Sequence, residues 1–208
     1  MWRRLPSRIR SLPVKRLEIA PGFAAALCLL RLLAEPRVFY AFVAAAAAHE
    51  AGHLIAIWLA GGRVTGIRLG VCDARITAFG LDYRQELFCA LAGPAMSVLF
   101  CLALRRRGPT CAAISLLLGL FNALPVYPLD GGRALRAGLC LCLPLGRAET
   151  ISNAVSLAVC AAGLCAALLG VWKWQLGMTP VLIWCVLLLR VLRYAAEEGA
   201  CFLPAGKV

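Results

Sequence analysis

The stretch Val38–Ala60, VFYAFVAAAAAHEAGHLIAIWLA, decides the fold class. It is long and apolar enough to cross the hydrocarbon core of a bilayer as a helix, which takes about 20 residues. Its middle nevertheless holds His49, Glu50 and His53. Ionisable side chains at membrane depth are costly and mark functional sites. The stretch therefore predicts a membrane helix that carries a buried polar site.

The polar residues of this stretch have the spacing of a metal site. Histidines four residues apart lie on one face of a helix, so His49 and His53 can bind one ion together. Glu50 follows the first histidine and can reach a water molecule on that ion, which is the HExxH arrangement of zinc hydrolases. The chain has only these two histidines. We expect His49 and His53 to bind zinc and Glu50 to act as a general base.

A third ligand is expected from Asp130. A catalytic zinc takes three protein ligands and leaves one position open. Besides Glu50, only Asp130 among the acidic residues lies in an apolar span or at its immediate end. Pro125, Pro128 and the glycines after Asp130 break the helix there, which lets the carboxylate turn inward. The alternative is a turn residue that faces water.

The composition extends this interpretation to the whole chain. Apolar residues make up 62% and charged residues 15%, against about 45–50% and 25% in soluble domains. The net charge is +12, but the arginines are scattered between apolar runs, which argues against nucleic-acid binding. The eleven cysteines include no CxxC pair. They are expected to be small apolar residues of a membrane protein and not a disulfide framework.

We therefore predict an all-α polytopic membrane protein with about six transmembrane helices and a small β-hairpin between the second and third spans. The hairpin is expected at about 62–81, with a turn at Cys72-Asp73-Ala74. Residues 1–20 form a basic tail and 21–208 a single membrane domain, with C-terminal helices at about 151–193. The predicted spans are Pro21–Ala34, Val38–Ala60, Leu87–Leu104, Thr110–Tyr127, Ile151–Trp172 and Leu176–Leu192, and Ala134–Leu145 is too short to span.

The positive charges predict the orientation. Six spans with the N-terminus inside place 16 of the 22 Lys and Arg residues in the inner segments, as expected for the cytoplasmic side. The Arg105–Arg107 triplet is the exception, because it falls outside. The chain is thus expected in a bacterial-type cell membrane, with its site toward the cytoplasm. If the short first segment does not span, the N-terminal tail changes sides.

These motifs together resemble the site-2 protease family of intramembrane zinc metalloproteases (peptidase family M50). His49–His53 is followed by Leu91-Ala92-Gly93-Pro94, which is similar to the family's A-G-P motif, and then by N-x-x-P-x-x-P-L-D-G-G from Asn122. The resemblance covers about 38–136, a three-helix catalytic core. It is strongest to the small branch without a PDZ domain, which includes a sporulation sigma-factor-processing protease. The chain departs from the family at Ser97, where many members have Asn.

The resemblance implies a function and its residues. His49, His53 and Asp130 would bind one zinc ion, Glu50 would be the general base, and Asn122 would stabilise the oxyanion or orient the substrate. The substrate would be a membrane-tethered, regulatory protein, cut in or near its span, with a membrane regulator or inhibitor as a further partner besides the lipid bilayer. The alternatives are a membrane metal-binding or transport protein, whose ion path would also use buried His and acids, and a catalytically idle scaffold.

Overall fold

The computed structural model describes residues 17–70, 74–175 and 177–201. Over these residues the chain is mainly helical, with one small sheet placed between the second and third helices. The helices are α1 (Pro21–Leu33), α2 (Pro36–Leu59), α3 (Tyr83–Leu104), α4 (Pro109–Asn122), α5 (Asp130–Cys140), α6 (Leu145–Trp174) and α7 (Thr179–Cys201), and the strands are β1 (Leu17–Ile19), β2 (Arg63–Leu69) and β3 (Ala74–Phe79).

Four of the described helices, α2, α3, α6 and α7, are long and apolar enough to cross a membrane. α1 and α4 are apolar but have 13 and 14 residues, which at 1.5 Å per residue gives them a length of about 20 Å. Large apolar side chains such as Leu99, Leu169 and Trp172 point outward and are exposed. The prediction of an all-α polytopic membrane protein is thereby confirmed, with two of the six apolar segments shorter than a full span.

α4 ends earlier than its hydropathy suggests. The predicted span continues to Tyr127, whereas the helix ends at Asn122. Pro125 has no N–H to donate, and its ring would clash with the carbonyl of Phe121 in a continued helix. The chain then folds back on the end of α4. Gly131 lies so close to this end that a Cβ on it would overlap the carbonyl oxygen of Ala123. This return starts α5, which takes the place of the short apolar segment expected at 134–145.

The predicted hairpin is confirmed as β2 and β3, which pair antiparallel with Ile67 opposite Ile76. The predicted turn at Cys72-Asp73 lies outside the described residues. A third strand was not expected from the sequence: β1, at the end of the predicted basic tail, pairs parallel with β2. The strand order is β1-β2-β3, so β3 keeps one edge free within the described sheet.

The sheet also fixes the direction of α1. β1 leads directly into α1 and lies beside β2, which follows the C-terminal end of α2. α1 therefore starts at the end of the bundle that carries the sheet, here called the sheet end. Only Ala34 and Glu35 separate α1 from the start of α2 at the opposite end. This geometry puts residue 17 at the sheet end.

Small residues let the core helices approach closely. α2, α3 and α4 pack on one another, and α5 packs on α3. Added Cβ atoms would lie 2.6 Å from the Met96 Cβ at Gly52 and 2.7 Å from the Ser97 Cβ at Gly119. Glycine is therefore required at both helix crossings. The resulting short distances between the helices bring side chains of α2, α3 and α5 into one site.

Candidate metal centre

Three potential ligand atoms converge between α2 and α5. The Oδ2 atom of Asp130 lies 2.9 Å from the Nε2 atom of His49 and 3.1 Å from that of His53, and the two Nε2 atoms are 3.3 Å apart. Ligands about 2.0–2.1 Å from a tetrahedral zinc ion would be roughly 3.3 Å from each other. The side chains of His49, His53 and Asp130 are only 4, 8 and 11% exposed. They could therefore hold one metal ion, and Asp130 does not face water.

The Nδ1 atoms of both histidines, on the side of each ring away from Asp130, have hydrogen-bond partners on α3. The Nδ1 atom of His53 is 2.8 Å from the carbonyl oxygen of Cys89, and a carbonyl only accepts, so Nδ1 carries the proton and donates. The Nδ1 atom of His49 is 2.9 Å from the hydroxyl oxygen of Ser97. The Nε2 atoms of both rings therefore face Asp130 and each other. Because Nδ1 of His53 carries the proton, its Nε2 lone pair faces a carboxylate oxygen, and a cation is needed between them, either a second proton or a metal ion.

Asp130 supplies the negative charge of the group. It is the first residue of α5, where the helix dipole stabilises an anion. Its Oδ2 atom faces the two imidazoles, and Arg133 is 3.8 Å from its Oδ1 atom. One carboxylate oxygen therefore lies on the side of the guanidinium group and the other on the side of the histidines.

Gly93 makes the convergence sterically possible. A Cβ at this position of α3 would overlap the imidazole of His53 and lie 2.8 Å from the Nε2 atom of His49. Only a residue without a side chain lets α3 pass so close to both rings. This is the physical requirement behind the Ala92-Gly93-Pro94 motif in this chain.

The group opens onto a cavity of about 840 Å³. Glu50 and Asn122 line the same cavity as the three ligand side chains, so all five predicted site residues are near one space. The side-chain amide of Asn122 donates one hydrogen bond to the Leu118 carbonyl, 3.0 Å away, within its own helix. Further walls come from α1, β3, the α4–α5 link and α7, through residues that include Phe23, Leu27, Leu30, Ile76, Thr77, Ala78, Tyr127 and Arg190.

Several of these contacts are not evident from the sequence. The motifs predict the ligand types, but the partners of the outward ring nitrogens are a backbone carbonyl and a serine, which have no recognisable spacing from the histidines. The cavity wall formed by α1 was also missed, because that segment contains no motif. Ser97 alone of these partners was marked by the sequence, because it departs from the family resemblance at a position where many members have Asn.

Comparison with solved structures gives a clear fold match. The structure of the site-2 protease from Methanocaldococcus jannaschii superimposes with a TM-score of 0.64 over 91% of this chain and 93% of that chain, at 19% sequence identity. No protein-family model and no curated protein matches the sequence. The chain therefore has the fold of a site-2 protease.

Proposed function

We propose that the chain is an intramembrane zinc metalloendopeptidase, which hydrolyses a peptide bond in or near a membrane span of a membrane-tethered protein. One observation carries the proposal: two imidazole nitrogens and a carboxylate oxygen converge within 3.3 Å of one another, buried in a bundle of membrane helices. Glu50 lines the cavity onto which they open. The match of the fold to a site-2 protease supports the same function.

The donor set favours zinc. Two imidazoles and one carboxylate suit a borderline cation such as Zn²⁺, whereas Mg²⁺ and Ca²⁺ prefer oxygen ligands alone. His49, His53 and Asp130 would hold the ion. A zinc ion held there would lower the pKa of a bound water to around 7 and polarise the scissile carbonyl.

Glu50 would move the protons of the reaction. In this role its carboxylate takes a proton from the attacking water and later delivers it to the amine that leaves. It lines the same cavity as the three candidate ligands, one residue after His49. Asn122 would orient the substrate or stabilise the oxyanion, since one amide proton is used by the Leu118 carbonyl and the second remains for a substrate.

A helical substrate must be unwound before its carbonyl groups can be attacked. β3 lies at the edge of the sheet, and Ile76, Thr77 and Ala78 line the cavity that contains the candidate site. An extended segment of substrate could add to this edge as a further strand, with backbone hydrogen bonds on one side. We assign to β3 the role of holding the unwound segment next to Glu50.

The sheet end of the bundle would face the cytoplasm of a bacterial-type cell. The predicted inner segments carry 16 of the 22 basic residues. Segment 1–20 includes β1, segment 61–86 includes β2 and β3, and the stretch from Arg190 includes the end of α7. Cleavage near this end would release the cytoplasmic part of a substrate.

The test compares two carboxylates of one cavity. Glu50→Gln and Glu86→Gln both remove a charge from residues that line it, but only Glu50 is the proposed base. We expect Glu50→Gln to keep one zinc per chain and to lose cleavage of a co-expressed single-span substrate. Glu86→Gln should keep both properties. Cleavage by Glu50→Gln at the wild-type rate would refute the proposed base, and a metal-binding protein without cleavage would support the transport or scaffold alternative.

A further inference from the structure

Among the residues that the structure describes, Ser97 is the one whose side chain contacts an outward ring nitrogen of the two candidate histidine ligands. Its Oγ atom is 2.9 Å from the Nδ1 atom of His49, and both residues are buried. The corresponding nitrogen of His53 is held by the backbone of Cys89. One histidine is thus fixed by the main chain and the other by a side chain that can be changed.

Ser97 packs closely against α4. Gly119 of α4 lies against it, and a Cβ there would be 2.7 Å from the Ser97 Cβ and 3.4 Å from its Oγ. Ser115, also on α4, donates its hydroxyl proton to the Ser97 carbonyl over 2.9 Å. Ser97 and Ser115 are both fully buried, so the hydrogen bond between Ser97 and His49 lies in the protein interior.

A hydroxyl can either donate to Nδ1 or accept from it, and the two cases differ at the opposite side of the ring. If Ser97 donated, neutral His49 would carry its proton on Nε2, which faces Asp130 at 2.9 Å, and could not bind a metal there. If Ser97 accepts, Nδ1 carries the proton and the Nε2 lone pair is free. Only the second case makes His49 equivalent to His53.

We propose that Ser97 is a positioning residue, which accepts the Nδ1 proton of His49 and so sets the tautomer and the ring orientation required for metal binding. This inference rests on the proposed function, because it assumes that a metal ion binds the Nε2 side. Outer partners of ligand histidines typically contribute 10–100-fold to metal affinity. In this chain the whole of that contribution at His49 depends on one hydroxyl group.

The test measures zinc affinity of the full chain in detergent, by competition with a chelator of known affinity. Ser97→Ala should weaken zinc binding by about 10–100-fold. Ser115→Ala is the matched control, since it removes an equally buried hydroxyl whose bond goes to the backbone of the same residue 97. It should change the affinity less than about threefold. Ser97→Cys keeps the side-chain shape but offers only a weak acceptor, and should show the same direction of loss if Ser97→Ala does not fold.

Cleavage gives a second readout. Ser97→Ala retains Glu50 and all three ligands, so excess zinc should restore its cleavage of a single-span substrate, which damage to the fold would not allow. Zinc affinity of Ser97→Ala equal to that of the wild type, or an equal loss in Ser115→Ala, would overturn the inference and leave the proposed function standing. A wild-type chain that binds no zinc would remove both.

Discussion

At the scale of single residues, the candidate site depends on the absence of a side chain at Gly93 as well as on the three ligand side chains. The three ligand side chains are supplied by α2 and α5, but they meet only because Gly93 on α3 has no side chain. The proximity of α3 also places the Cys89 carbonyl and the Ser97 hydroxyl behind the two rings. Gly93 is therefore part of the candidate site, although it contributes no side chain.

The first prediction concerns this glycine. Gly93→Ala should lower zinc affinity by about tenfold or more, although every ligand is retained, because the new methyl group would displace the His53 ring from its position beside Asp130. Zinc titration of the purified variant measures the effect. Gly138→Ala is the control, since a Cβ at Gly138 of α5 meets nothing within 4 Å. Unchanged zinc binding in Gly93→Ala would show that the close approach of α3 is not required.

The charge of Asp130 gives a second prediction at this scale. Asp130→Asn keeps the size of the side chain but removes the anion that lies 2.9 Å and 3.1 Å from the two imidazoles. The variant should bind zinc at least about tenfold more weakly, because a neutral amide is a poorer ligand and does not balance the cation. Metal analysis after dialysis should show substoichiometric zinc. Full retention of zinc would exclude Asp130 as a ligand.

At the scale of elements, the sequence predicts most of the architecture but not its long-range pairings. The apolar runs and the hairpin were located correctly, because hydropathy and β-branched residues act locally. β1 was missed, since three residues at the end of a basic tail become a strand only by pairing with β2, about fifty positions away. The end of α4 was misplaced because Val126 and its neighbours are apolar, whereas the prolines decide where the helix stops.

The free edge of β3 carries the third prediction. Successive N–H groups of a strand point to opposite edges. Of the variants Ile76→Pro and Thr77→Pro, one therefore removes an N–H donor from the free edge of β3. The other removes a donor from the edge that pairs with β2 and disrupts that pairing. The variant that blocks the free edge should keep its zinc and its thermal stability and lose about tenfold or more of its cleavage. Cleavage assays with parallel melting curves test the pair. If both variants cleave at the wild-type rate, substrate addition to β3 is excluded.

At the scale of the whole molecule, the fold places a polar site inside a body that is apolar on its outside. α6 and α7 lie beside the core and expose large apolar residues such as Leu169 and Leu189. The sheet closes one end of the bundle next to the candidate site, and the Arg105–Arg107 turn lies at the other end, between α3 and α4.

Orientation in the membrane is the fourth prediction. Alkaline phosphatase is active only outside the cytoplasm, so a fusion after Gly108 should be active, while fusions after Leu81 and after residue 208 should be inactive. The parallel pairing of β1 with β2 adds that a reporter placed before residue 17 should behave as inside. An active fusion after Leu81 would reverse the orientation and with it the side on which cleavage products are released.

The central claim is that His49, His53 and Asp130 together hold one catalytic zinc ion in a chain that also contains eleven cysteines. X-ray absorption at the zinc edge of the purified full chain distinguishes nitrogen and oxygen ligands from the sulfur ligands that cysteines would supply. The proposed site predicts one zinc per chain with nitrogen and oxygen neighbours at about 2.0–2.1 Å, including imidazole scattering, and no sulfur shell. Sulfur neighbours at about 2.3 Å, or a protein that holds no zinc, would contradict it.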